Sequence, residues 1–327
     1  MNHHLAPDFR SLILEKTGAS EVEVEAVIQE LWSGYGHILR LALQGGQFTS
    51  LIAKHVRIPG EKKHPRGWTT DLSHQRKVRS YEVESEWYRR WNAKLDAQCR
   101  IPGFIASACE DDSVFLLLED LDAAGFPLRK SVVGEREIEH CLDWLAEFHA
   151  IFLGMEPEGL WKTGTYWHLE TRPDELAALE DFALRSAAPE IDRKLSAAKY
   201  QTFVHGDAKL ANFCFADKSD RVAAVDFQYV GGGCGIKDVA YFMGSCLDES
   251  ACEARETLIL DYYFNRLGKA IKRRQPDQDV KAVEEEWREL FPLAWADFHR
   301  FLKGWCPGHW KINSYSEQVV RKVLQSL

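Results

Sequence analysis

A chain of 327 residues is long enough for about two domains or lobes. An apolar share of 45% and a charged share of 28% match an ordinary soluble globular protein and exclude a collagen, a disordered tail or a coiled-coil rod. With 41 basic against 50 acidic side chains the net charge is −9, which argues against a whole-domain nucleic-acid footprint, since that needs a basic patch able to neutralise several phosphates.

The start, Met1–Arg10, has no basic end followed by an apolar stretch, so no secretory signal is expected. Val22, Val24, Ala26 and Ile28 alternate with Glu21, Glu23 and Glu25 as in a strand, although Ser20 with Glu23 fits a helix capping box equally well. Ser33-Gly34-Tyr35-Gly36 follows, then an apolar stretch from Ile38 to Leu43. Gly45-Gly46 ahead of FTSLIAKHV marks a hairpin turn, and Pro59–Asp71, with two prolines and two glycines, marks a loop. Lys77–Trp91 carries Tyr81, Trp87, Tyr88 and Trp91 at helical spacing. Pro102-Gly103 breaks the chain before a buried strand, Ser113–Leu121. Its run Val114–Leu118 is the longest apolar run near the middle, far below the 18 or so residues of a membrane span.

Glu135–Gly154 reads as a helix with Ile138, Leu142, Leu145, Phe148 and His149 on one face. Helices dominate from there, except where FVHGDAKLANFCF and RVAAVDFQYV give two short apolar strands around a polar loop. The break falls near Asp120–Ala124, which gives an α+β plan: a small β-rich lobe over 1–121 and a larger helical lobe over 122–327. No internal repeat or low-complexity segment stands out. The eight cysteines, at 99, 109, 141, 214, 234, 246, 252 and 306, include no C-x-x-C pair, so neither a zinc ribbon nor a thioredoxin-like site is indicated. A reduced, cytoplasmic thiol protein is the simplest expectation.

The strongest signal is His205-Gly206-Asp207-Ala208-Lys209-Leu210-Ala211-Asn212, followed fourteen positions after Asn212 by Asp226-Phe227-Gln228. A hydroxyl attacking a γ-phosphate needs a carboxylate to orient it and accept its proton, and oxygen ligands to hold Mg²⁺ on the phosphates. H-x-D-x-x-x-x-N with a downstream D-F supplies both at kinase spacing. On these residues the chain resembles the protein-kinase-like superfamily. It looks most like the aminoglycoside phosphotransferase and choline kinase branch, including the ecdysteroid-kinase-like (CHK kinase-like) proteins. There the loop begins H-G-D and a D-x-A-Y helix start follows, here Asp238-Val239-Ala240-Tyr241.

The resemblance implies a bilobal kinase-like fold that takes ATP and Mg²⁺. It makes Asp207 the base or hydroxyl-orienting residue, Asn212 and Asp226 the metal ligands, and Lys209 a neutraliser of transferring charge. His205 is a catalytic candidate that more simply braces the loop. Lys54, between apolar neighbours in SLIAKHV, is the candidate phosphate lysine, although a strand-edge lysine is ordinarily just solvated. Glu84 is the favoured helix partner among Glu82, Glu84 and Glu86. Ser33, Gly34 and Gly36 form the candidate phosphate-covering loop, with Leu39 where a third glycine would stand. Leu117–Leu121 would be the connector whose backbone, at Glu119 and Leu121, meets adenine.

Departures from the protein-kinase pattern are informative. Gln228 replaces the glycine of D-F-G, only eleven residues separate Asp226 from Asp238, and no A-P-E follows. There is no room for an activation loop, which points to a constitutively assembled small-molecule kinase.

The C-terminal stripe Trp287, Phe291, Trp295, Phe298 and Phe301, with Trp305 beyond it, fits core packing, or in part an aromatic acceptor wall. An aromatic wall without a carboxylate cluster favours a choline-like or hydrophobic alcohol over an aminoglycoside. A catalytically silent nucleotide-binding protein of the same fold is the alternative, and the oligomeric state is not legible. No nucleic-acid or membrane-spanning role is expected.

Overall fold

In the computed structural model, which describes residues 5–31, 34–57, 71–110, 113–218 and 220–327, the first third is built on one antiparallel sheet. Its strands are β1 (Glu21–Glu30), β2 (Gly36–Gln44), β3 (Ser50–Arg57), β4 (Phe104–Glu110) and β5 (Ser113–Glu119), in the order β1-β2-β3-β5-β4. The alternation after Ser20 is therefore strand. The capping-box alternative fails because Ser20 bonds the Gln44 carbonyl across the hairpin, through both its N–H and its Oγ. The turn through Gly45-Gly46 closes β2 onto β3 as expected, with both glycines at positive φ.

A helix absent from the sequence expectation, α1 (Pro7–Thr17), covers part of the sheet by stacking Phe9 on Phe115 at 4.4 Å. It buries only Phe9, Ile13 and Thr17, too few positions to stand out as a period. β4 is unannounced for a similar reason: Ala106, Ser107 and Ala108 are small, so no alternation shows. The expected loop Pro59–Asp71 lies outside the described residues except for Asp71, where α2 (Asp71–Glu86) begins. α2 widens into a π-helical turn over Trp87–Trp91. Val83, Trp87 and Tyr88 join Leu116 and Leu118 of β5 in one apolar cluster that continues into the helical part, so sheet and helices share a core.

The rest is mostly helical: α3 (Glu135–Phe152), α4 (Pro173–Ala178), α5 (Phe182–Ser196), α6 (Ile236–Cys246), α7 (Glu249–Arg274), α8 (Val280–Trp305) and α9 (Ser314–Ser326). α3 buries the expected face, Ile138, Leu142, Leu145, Phe148 and His149. Asp181, Asp248, Asp279 and Asn313 cap α5, α7, α8 and α9 by accepting an N–H three residues on. The two expected strands resolve into four short ones, β6 (Thr202–Val204) paired with β9 (Gly231–Gly233) and β7 (Phe213–Phe215) paired with β8 (Val222–Ala224). The chain thus has the α+β plan expected of it, a small antiparallel sheet followed by a larger helical part. No helix among the described residues is long and apolar enough to cross a membrane.

Candidate active site

The loop from β6 to β7 is held from beneath by α6. Asp238, in the first turn of that helix, is fully buried; its carboxylate accepts the N–H groups of His205 (2.5 Å) and Gly206 (3.0 Å) and the Nε2–H of His149 (3.2 Å). Gly206 sits at φ 79°, and a Cβ there would stand 2.1 Å from the Tyr229 carbonyl oxygen, so only glycine fits. His205 Nδ1 accepts the Asp207 N–H (3.2 Å), which leaves Nε2–H to donate to the Val225 carbonyl (3.1 Å). Both ring nitrogens are spent tying one loop to the other. In this geometry His205 braces the loop.

Asp207 is the hub. Its Oδ1 accepts from the Tyr241 hydroxyl (3.0 Å), and its Oδ2 accepts from Lys209 Nζ (2.8 Å) and Asn212 Nδ2 (3.1 Å). Burial pushes the carboxyl above the ordinary range, with the Lys209 ammonium pulling against it. Asn212 also spans the loop by donating to the Asp207 carbonyl at 2.8 Å.

Asp226 stands at φ 71°, a left-handed conformation rare outside glycine. Burial acts to raise its pKa as well, but the ammoniums of Lys54, Lys209 and Lys77 outweigh burial and hold it below the usual carboxylate range. Two neighbouring carboxylates are thereby pushed apart, one toward accepting a proton and one toward staying charged. Asp226 Oδ1 lies 3.8 Å from Lys54 Nζ. Lys54, on β3, bonds Glu84 of α2 at 2.6 Å, both being buried. Burial works against the Lys54 ammonium, yet Glu84 and then Asp226 keep it charged. Of the competing glutamates, Glu82 goes to Arg79 and Glu86 to Arg89 instead.

Several site groups were not singled out by the motifs. Lys77 of α2 donates to Gln228 Oε1 at 2.8 Å and lies 4.7 Å over the Tyr81 ring; Lys54 lies 5.7 Å from the same ring centre. Gln228 Nε2 donates in turn to Asp226 Oδ1 at 2.9 Å. The spacing of Lys77, Tyr81 and Glu84 at i, i+4 and i+7 on one helix is the signal that could have found Lys77. Asp238 and Tyr241 were legible only as a helix start; being three apart, they share a face of α6, and both reach the loop.

The glycine turn runs from β1 into β2. Ser33 lies outside the described residues. Gly34 has φ 72°, and Gly36 is demanded by the sheet itself, since a Cβ there would stand 2.0 Å from the His55 carbonyl oxygen. Tyr35 between them bonds His74 of α2 at 2.8 Å.

At the connector, the Glu119 side chain is taken by Arg100 and the Gly103 N–H, its own N–H goes to the Gly103 carbonyl, and the Leu121 carbonyl receives the Phe126 N–H. The Leu121 N–H, in contrast, meets no protein acceptor among the described residues.

The aromatic stripe divides. Trp287, Phe291 and Trp295 are core, whereas Phe298 and Phe301 join Tyr166, Trp167 and Tyr241 beside Asp207. Tyr166 donates to Tyr241 at 3.2 Å. A cation already stands on this wall: Lys311 Nζ lies 5.1 Å from the Tyr241 ring centre and 5.5 Å from that of Phe298.

A lysine–glutamate pair from strand to helix, a loop aspartate with its asparagine, and a second aspartate beside the lysine thus stand together in the structure. The model of the ecdysteroid kinase-like family matches residues 165–275, roughly a third of the chain and the part that carries the loop and Asp226. No curated protein matches the chain by sequence. Among solved structures, a candidate fructosamine-3-kinase from Haemophilus somnus is similar at 13% identity and TM-score 0.48, covering 98% of this chain and 96% of that one. A type VIII aminoglycoside-3'-phosphotransferase is similar at 16% identity and TM-score 0.46, over 89% of this chain and all of that one (100%). An ethanolamine kinase from Plasmodium vivax is similar at 10% identity and TM-score 0.48, over 93% and 84% of the respective chains.

Proposed function

We propose that the chain is an ATP- and Mg²⁺-dependent phosphotransferase acting on a hydroxyl of a small molecule, in the cytoplasm. The observation that carries this is the fixed carboxylate of Asp207, oriented by Tyr241, Lys209 and Asn212, with Asp226 beside the Lys54 ammonium. In this reading residues 1–121 clamp the nucleotide and 122–327 supply the loop, the metal site and the acceptor pocket.

The donors suit the metal. Among the described residues no side chain donates to Asn212 Oδ1 or Asp226 Oδ2, and hard amide and carboxylate oxygens are what Mg²⁺ takes, with phosphates completing its shell. Mg²⁺, when bound, offsets the charge that gathers on the phosphate oxygens during transfer. Lys54 donates to the phosphates and is aimed by Glu84. The Leu121 N–H is available to the base. Asp207 orients the acceptor hydroxyl: its oxygen bonds the γ-phosphorus as the bond to the ADP oxygen breaks, and its proton passes to Asp207. Lys209 stands where it can neutralise the phosphoryl oxygens. Tyr166, Phe298 and Phe301 give the acceptor side an apolar wall, and with Lys311 already there the acceptor is an alcohol with a hydrophobic body.

The test is the melting shift on adding ATP, with and without Mg²⁺, in wild type and Asp226→Ala, followed by ATP consumption over amino alcohols, aminoglycosides, sugars and steroid alcohols. A Mg²⁺-dependent shift lost in the variant, with turnover of one alcohol class, is the expected result. Equal Mg²⁺ dependence in both proteins overturns the metal assignment, and binding without turnover of any hydroxyl identifies a silent nucleotide-binding protein.

A further inference from the structure

Lys311 has no task in the chemistry above. It lies on the turn between α8 and α9, beside a narrow cleft whose lining includes Ala240, Gly244, Phe298 and Trp310. Its ammonium stands over three rings, those of Tyr241 (5.1 Å), Phe298 (5.5 Å) and Trp310 (5.6 Å). The other lysines nearby all have partners: Lys54 has Glu84, Lys77 has Gln228, Lys209 has Asp207 and Lys237 has Asp297. No side chain among the described residues accepts a hydrogen bond from Lys311 Nζ.

Cation–π attraction offsets part of the cost of drying an ammonium, but it leaves the three N–H donors unspent. Asp207 is the carboxylate that acts on Lys311, and its oxygens are already held by Tyr241, Lys209 and Asn212. The remaining neighbours that act on it are the Lys209 ammonium and the thiols of Cys246 and Cys252, which burial pushes up to about 12 and so keeps protonated. Burial brings Lys311 down to about 8, so at neutral pH it is mostly charged. One tyrosine connects the two functions, since Tyr241 lies under the ammonium with its ring and bonds Asp207 with its hydroxyl.

We propose that Lys311 binds the acceptor, and that the acceptor is an alcohol with an apolar body that also carries an oxyanion (carboxylate, phosphate or sulfate) close to the reacting hydroxyl. This rests on the phosphotransfer reading. The oxyanion takes the free donors of Lys311, the hydroxyl meets Asp207, and the body lies against Phe298 and the exposed indole of Trp310, which is 60% accessible. The same cation repels amino alcohols, so selectivity has a repulsive as well as an attractive part.

The experiment uses the full chain and matched acceptors: hydroxy acids, phosphorylated and sulfated alcohols, and the neutral diol and amino alcohol on each carbon skeleton. ATP consumption gives kcat/KM for each with wild type, Lys311→Met, Lys311→Arg and Lys311→Glu. Wild type should prefer the oxyanion member of a set, and the carboxylate, phosphate and sulfate arms identify which one. Lys311→Met should lose roughly ten- to a hundredfold on that member, mainly in acceptor KM, as expected for a hydrogen bond to a charged group. Lys311→Arg should keep the preference and Lys311→Glu should reverse it toward the amino alcohol; the arginine variant also controls for folding. A wild-type preference for the neutral or cationic member, an unchanged ranking in Lys311→Met, or no turnover of any oxyanion by a protein that shows the Mg²⁺·ATP melting shift overturns the proposal. Absence of that shift in wild type overturns the phosphotransfer reading instead.

Discussion

Replacing Asp238 by alanine removes the acceptor for two backbone N–H groups, those of His205 and Gly206, and for the His149 ring N–H. His205 and Asp238 are fully buried. An unsatisfied buried donor costs about 1–3 kcal/mol, so the two backbone groups alone set a loss of roughly 2–6 kcal/mol. A domain is stable by only about 5–15 kcal/mol, so this is a large fraction of the total. Asp238→Asn keeps one oxygen but turns an N–H₂ toward the donors, and should fall between alanine and wild type. Urea unfolding followed by tryptophan fluorescence measures the change in midpoint at constant slope. At temperatures where Asp238→Ala remains folded, turnover should be lost, because the loop that carries Asp207 has lost its anchor. An alanine variant within about 0.5 kcal/mol of wild type would refute the reasoning, since that is the range of ordinary surface changes.

Lys54→Met leaves Glu84 as an unpaired buried charge and should cost about 3–5 kcal/mol; adding Glu84→Gln should recover part of the stability but not the ATP KM. If melting shows coupling of Lys54 to Glu82 or Glu86 and none to Glu84, the pairing is wrong. Asp207→Asn should lower kcat roughly 10²–10⁴-fold with ATP affinity nearly unchanged, and retention of activity within a few-fold would remove Asp207 as the base. Gln228→Ala releases both Lys77 and Asp226 and should raise the Mg²⁺ concentration for half-maximal turnover several-fold; an unchanged Mg²⁺ titration would show that the bridge does nothing.

What was legible in the sequence depended on whether a local pattern carried the information. Lys54 stood out because a lysine among Leu51, Ile52, Ala53 and Val56 needs a reason, and Glu84 because it stands between aromatic residues, three after Tyr81 and four before Tyr88, as the resemblance implies. The helix α3 showed its face over five positions. α1 and β4 did not show, because their burial rests on single aromatic or small residues whose partners are distant in sequence. Lys311 was equally hidden. It is about a hundred residues from Asp207, on a turn with no periodicity, and only the packing of α6 against α8 brings Tyr241 and Phe298 beneath it. The aromatic wall could be read from composition, but its occupant could not.

Gln228 shows how a single departure from a motif acquires a physical meaning. In a chain with glycine at that position, the segment after the aspartate is free to change its backbone. Here Gln228 accepts from Lys77 and Ser80, donates to Asp226, and gives its carbonyl to the Trp161 indole. Phe227 is fully buried, stacked 4.7 Å from Trp87 and 4.6 Å from the His205 ring. The left-handed backbone of Asp226 costs on the order of 1–3 kcal/mol, and such strain persists only where its surroundings over-determine it. Gln228, tied by Lys77, Ser80 and Trp161 and bonded to Asp226, and the Phe227 ring wedged between Trp87 and His205 do so. The short segment from Asp226 to Asp238 and the glutamine that replaces glycine therefore have the same consequence: Asp226 is held in one place by the fold around it.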